Sequence, residues 1–257
     1  PSVSNIAIGA NMAAAAANKA RHGMNESIAR LSTGVRAMYG GDAAGHSVGT
    51  VHSAEAKSYA ASARNIEDGL SFAQSGESVL LELANLGQRL RELGIQDDNA
   101  ELLDANQIAA LDAEATLLGD TIDNILDTTK FNGKEVVDKA ASITVAINYT
   151  GEGTTTTVGP EKSITAVTLT DATNGVASGD TLLNEVATAL GNLAADITAL
   201  KAFQGAASAT SANLAATSAR IMDTDFAEET ASLTKNAILN QAALSMAAQA
   251  NNAQSAI

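Results

Sequence analysis

Leu80-Leu81-Glu82-Leu83-Ala84-Asn85-Leu86-Gly87-Gln88-Arg89-Leu90-Arg91-Glu92-Leu93 decides the fold class of this chain. Leu80, Leu83, Leu86, Leu90 and Leu93 recur in a three-four rhythm, which puts them on one side of an α-helix. Ile66, Leu70 and Ala73 extend the same face upstream. Two further segments repeat the pattern. Leu111, Ala115, Leu118, Ile122 and Ile125 form one seam, and Leu182, Val186, Leu190, Leu193, Ile197, Leu200 and Phe203 form the other. Such narrow apolar seams are of the coiled-coil kind and need other helices to cover them. The expectation is a helical bundle with ridges packed into grooves. Asp97-Asp98-Asn99 breaks the first seam from the second and is expected to cap the second helix. Asn132-Gly133 is expected to turn the chain after it.

Residues 141–179 read differently. Ile143, Val145 and Ile147 alternate with Thr144, Ala146 and Asn148, and Ile164, Val167 and Leu169 are interleaved with threonines. Thr154–Thr157 and nearby glycines break the runs, and Asn174-Gly175 is a second turn signal. This is a small β-rich insertion between two helical halves. The fold class expected is mainly α: an antiparallel helical bundle or coiled-coil rod from paired N- and C-terminal halves.

The outer arms are weaker. Ile28, Leu31, Val35 and Met38 share a face near one end; Leu233, Ala237, Asn240, Leu244 and Ala247 do so near the other. Alanine, serine and asparagine stand where a stable isolated helix would carry leucine. Such helices are marginal alone, and ordering each residue costs about 1–2 kcal/mol of backbone entropy. The arms are therefore expected to be ordered by burial against neighbouring copies.

Composition narrows the function. The net charge of -14 runs against nucleic-acid binding, and no apolar run is long enough to span a membrane. No cysteine is present, which removes disulfides and thiolate-bound metals. The N-terminus lacks the basic-then-apolar pattern of a cleaved signal peptide, so the chain reads as cytoplasmic or as exported without signal removal. His22, His46 and His52 lack metal-ligand spacing. Gly40, Gly41 and Gly45 are followed by no Gly-Lys-Ser/Thr and read as a hinge, not a phosphate loop. Asp97-Asp98 and Glu228-Glu229 have no nucleophile or histidine partner, so they read as surface charge or helix N-terminal acids. No cofactor is expected.

Several segments resemble one family in order. Arg30-Leu31-Ser32-Thr33-Gly34-Val35-Arg36 is similar to the "RLSSG-x-R" segment of bacterial flagellins, and Asp42-Ala43-Ala44-Gly45 to "DDAAG". Ser62–Gly69 resembles "ASRNANDG", Gln88–Gln96 "LQR-x-REL-x-VQ", and Phe131-Asn132-Gly133 "FNG". Arg220–Glu229 resembles "SRI-x-DADYA-x-E", Ala237–Ala242 "QILQQA", and Ala248–Asn251 "AQAN". The matches cover nearly the whole chain except the β insertion. Flagellins usually continue with a short apolar tail, whereas here the sequence stops at Ser255-Ala256-Ile257.

The resemblance implies a filament subunit, exported unfolded by the flagellar type III apparatus, outside the cell. Its implied partners are many copies of itself, an export chaperone, and the cap and junction proteins. It implies a terminal polymerisation domain from residues 1–40 and 221–257, a bundle from 41–140 and 180–220, and the insertion at 141–179. Terminal packing would fall on Ile28, Leu31, Val35, Met38, Leu233, Ala237 and Leu244. Arg89, Leu90, Leu93 and Glu114 match positions for inter-subunit contact and for recognition by an innate immune receptor of the Toll-like class. The alternatives are a hook–filament junction protein and a surface adhesin.

Overall fold

The computed structural model describes residues 2–36, 41–137, 142–147, 155–160 and 164–255. Five α-helices dominate: α1 (Ser2–Thr33), α2 (Ala43–Asp97), α3 (Ala105–Thr128), α4 (Gly175–Met222) and α5 (Phe226–Ser255). Two small antiparallel sheets interrupt them. Strands β1 (Lys130–Phe131) and β2 (Lys134–Glu135) form one; β3 (Ile143–Ala146) and β4 (Thr155–Val158) form the other. The chain divides into two compact units, residues 1–55 with 213–257, and residues 56–212.

The second unit holds the large core. All three seams supply it. Leu80, Leu83, Leu90 and Leu93 of α2, Ala115 and Ile122 of α3, and Leu182, Val186, Leu193 and Leu200 of α4 are fully buried or nearly so. Phe203 departs from the expected seam: it is 37% exposed. Phe72 and Phe131 meet edge to face with centroids 6.1 Å apart, which anchors the β1–β2 hairpin on α2. The hairpin turns at Asn132-Gly133, both with positive φ (48° and 78°), the type I′ geometry this pair favours.

Three local expectations need correction. Asp97-Asp98-Asn99 does not cap α3. Helix α2 runs through Asp97, a 3-10 turn spans Ala100–Leu102, and the cap is Asp104. Its carboxylate accepts from the Asn106 and Gln107 amides at 2.8 and 2.9 Å, and the Gln107 side chain accepts from the Asp104 amide at 3.0 Å, a reciprocal capping box. Second, the threonine run does not break a strand; Thr155–Val158 is β4 itself, paired from Ile143↔Val158 to Ala146↔Thr155. Third, Ile164, Val167 and Leu169 are buried but form no strand. Their segment lies on the helices, and helix carboxylates bind its backbone. Asp123 accepts from the Val167 amide at 2.7 Å, Asp112 from Ala172 at 2.8 Å, and Glu185 from the Thr165 amide and hydroxyl at 2.7 and 2.9 Å. Amides satisfied in this way need no neighbouring strand. Asn174-Gly175 does mark a turn, closed by the Gly175 amide on the Ala172 carbonyl at 2.8 Å, and Gly175 opens α4. Of the strand-like alternation, Asn148 lies outside the described residues, as does Thr154.

Candidate assembly surface

In the first unit, α1 and α5 pack antiparallel on each other, in a contact of small residues. Ala13, Ala17, Ala20 and Ser27 of α1 and Ala243 of α5 are buried there. Gly23 lies so close that a Cβ would stand 2.6 Å from the Asn236 side-chain amide. Both arms are helical, and alanine's helix propensity and the close approach it permits account for that.

The chain leaving α1 and the chain entering α5 are tied together. Gly34, at φ +72°, stops α1, and its amide donates to the Arg30 carbonyl at 2.7 Å, the left-handed ending that favours glycine. Arg36 and Thr224 amides then donate to Met222 and Gly34 carbonyls at 2.7 and 2.9 Å. The Arg36 guanidinium reaches the Ile221 carbonyl at 3.1 Å and the Asp42 carboxylate at 2.7 Å. Asp42 also accepts from the Gly45 amide at 2.8 Å, capping α2. That backbone bond, with the Arg36 bond second, holds the Asp42 carboxyl below its ordinary range. Gly45 is therefore the first turn of a helix and not a hinge; Gly40 lies outside the described residues. Arg30 and Glu229 add an ion pair at 3.6 Å, the glutamate side chain only 12% exposed.

With small residues inside, large apolar side chains point out. Ile8, Met12 and Ile28 on α1 and Phe226, Ile238, Leu239, Leu244 and Met246 on α5 are roughly half to two-thirds exposed. Among the residues expected to carry terminal packing, Ile28, Ala237 and Leu244 are exposed, whereas Leu31, Val35 and Leu233 are half-buried. Met38 lies outside the described residues. Sequence reading missed Ile8, Met12, Ile238, Leu239 and Met246. Their signal is that they fall off the alanine stripe.

The second unit carries a charged cluster. Arg89 donates to Glu114 from Nε at 2.8 Å and Nη2 at 2.6 Å, and to Glu92 from Nη1 at 3.2 Å. The Glu114 bond, then that of Glu92, raises the guanidinium pKa further. Arg91 pairs with Asp180 at 2.7 Å, joining α2 to α4. Leu90 and Leu93 are completely buried beneath, so Arg89 and Glu114 are what this surface presents. Ion pairs this exposed contribute at most about 1 kcal/mol.

Among the described residues no three His, Cys, Asp or Glu side chains form a metal-binding group. His22 lies 3.4 Å from Glu26 and His52 3.3 Å from Glu55. Among the described residues, too, no helix is long and apolar enough to cross a membrane.

Residues 4–142 match the bacterial flagellin N-terminal helical region, and residues 176–257 match the bacterial flagellin C-terminal helical region. The chain belongs to the bacterial flagellins. The flagellin of Halalkalibacterium halodurans is 31% identical over 244 residues, spanning 90% of this chain and 89% of that protein. The flagellin of Bacillus subtilis is 27% identical over 269 residues, spanning 88% of each. A crystal structure of Bacillus cereus flagellin is 24% identical, with a TM-score of 0.40, covering 59% of this chain and 88% of that one. This flagellin is accordingly a structural subunit of the extracellular flagellar filament, and it is not an enzyme. The two matched regions leave residues 143–175 between them, which hold β3, β4 and the carboxylate-bound segment.

Proposed function

We propose that subunits of this flagellin polymerise through the outward faces of α1 and α5. What carries the reading is the inversion of size: alanines face each other within the subunit, and isoleucine, leucine, methionine and phenylalanine face out. Fully burying one such side chain stabilises by about 1.5–3 kcal/mol, so covering the exposed half yields roughly half of that. Summed over both helices and many copies, this drives assembly. Residues 1–40 and 221–257 form the polymerising terminal domain, with Ile28, Leu31, Val35, Leu233, Ala237 and Leu244 in its contacts. Residues 41–140 and 180–220 form the bundle domain, and 141–179 the insertion. The contact joins different patches on successive copies and so propagates as an open helix. An export chaperone on the C-terminal segment, then the cap and junction proteins, meet the same apolar faces. Arg89 and Glu114 are the exposed part of an epitope for an innate immune receptor, and Leu90 and Leu93 shape the helix beneath.

Electron microscopy of the full chain, seeded with filament fragments, tests the assembly reading. Filaments are expected from the full chain and none from a double substitution, Ile238→Asp with Leu239→Asp, that retains the wild-type helical circular dichroism. Normal filament growth by that variant would overturn it.

A further inference from the structure

Asn-Gly pairs are the sequences most open to spontaneous loss of the side-chain amide, because glycine puts no side chain in the way of its own nitrogen. This chain has two, Asn132-Gly133 and Asn174-Gly175, and the structure treats them oppositely. Asn132 and Gly133 are both exposed, and a Cβ on Gly133 would find no atom within 4 Å. Their hairpin has two residues in each strand, clasped at its base by Lys130 and Glu135 at 3.7 Å. A turn with both φ positive does not aim the Gly133 nitrogen at the Asn132 carboxamide carbon. Phe131 holds the hairpin on α2, but its exposed tip can rearrange without that contact being lost, and the rearrangement supplies the approach. Gly175 is buried at the start of α4. Its amide is committed to the Ala172 carbonyl at 2.8 Å, and the Leu90 carbonyl lies 2.8 Å from where a Cβ would be. The Asn174 carbonyl is held by the Ser178 amide at 3.0 Å. Opening there means unwinding the first turn of a core helix.

We propose that Asn132 is a self-modification site at which this flagellin deamidates with age. The Gly133 nitrogen gives up its proton and bonds to Asn132 Cγ. The side-chain amide takes up a proton and leaves as ammonia, closing a succinimide. Water then adds to either imide carbonyl and opens the ring to aspartate or isoaspartate. Either product places a new carboxylate on a cavity of ≈ 350 Å³ already lined by Asp68 and Lys134. Isoaspartate also adds a backbone carbon to the turn. That breaks the Phe131↔Lys134 register and draws Phe131 away from Phe72.

The test is peptide mass mapping with isoaspartate detection on the full chain, held at mildly alkaline pH both folded and in strong denaturant. In the folded chain Asn132 is expected to convert at least roughly tenfold faster than Asn174, equivalent to about 1.4 kcal/mol in barrier. In denaturant the two rates are expected to converge. Equal rates in the folded chain would overturn the proposal, as would an Asn132 that converts only in denaturant.

Discussion

Two glycines of α4 make the same substitution give opposite results. Gly191 is exposed, and a Cβ there would meet nothing within 4 Å. Gly191→Ala therefore gains helix propensity alone, about 0.4–1 kcal/mol. Gly179 is buried where α4 meets α2. Its Cβ would stand 2.8 Å from the Gly87 carbonyl oxygen and 3.0 Å from the Arg91 amide nitrogen. Both are backbone atoms in a helix interior and cannot swing aside. Gly179→Ala gains the same propensity, but the helices must part by several tenths of an ångström, and overpacking of this kind costs about 1–3 kcal/mol. The two variants should then differ by about 2 kcal/mol. At about 2–4 °C per kcal/mol for a domain of this size, that is about 4–8 °C in midpoint. Thermal unfolding of each full-length variant, followed by circular dichroism, reads it. Equal shifts of the same sign would refute the argument that α2 and α4 touch backbone to backbone at Gly87 and Gly179.

Removing the Asp123 carboxylate with Asp123→Ala should leave the Val167 amide without its acceptor, costing about 1–3 kcal/mol; hydrogen exchange should speed up across 164–172 and leave α5 unchanged. Asp42 has a lowered carboxyl pKa, so its contribution to the start of α2 is present above the ordinary carboxylate value and is lost as pH falls through the lowered one. Amide exchange at Gly45 should show this loss in strong acid, and Asp42→Asn, which keeps an acceptor oxygen but cannot titrate, should not. Glu114→Gln breaks an exposed ion pair and should change stability by less than about 1 kcal/mol in chemical denaturation.

The helices of the second unit were legible because their leucines recur at helical spacing, and the structure buries Leu80, Leu83, Leu90 and Leu93 together. The insertion was legible only in part. Ile143-Thr144-Val145-Ala146 alternates and is a strand, but its partner Thr155–Val158 is nearly all threonine and carries no apolar rhythm. Residues 164–169 look like a strand because every buried side chain is apolar. What decides otherwise is a set of aspartates and a glutamate far away in sequence, and no local pattern announces which amide a distant carboxylate will hold. Asp104 was overlooked as a cap because three polar residues at 97–99 gave the stronger composition signal. Arg89 and Glu114 follow from the family resemblance, and their pairing was not legible, since residues on two helices share no period.

The arms failed to announce their contact faces for a reason that bears on function. Periodicity arguments assume that the largest apolar residues go inside. Among the described residues of α1 and α5 the fully buried side chains are alanine and serine, while Ile8, Met12, Ile238, Leu239 and Met246 stand exposed, so the stripe that packs within the subunit has the lower hydrophobic contrast. A close alanine contact lets two backbones approach with little side-chain entropy lost, but it stabilises weakly, since alanine removes little area from water. A helix pair that used its leucines and isoleucines internally would be the more stable monomer and would leave nothing to bury between copies. The distribution seen here gives up monomer stability and leaves apolar area exposed, which the proposed assembly would cover. The subunit's most weakly packed helices are on this account the ones assembly should stabilise most.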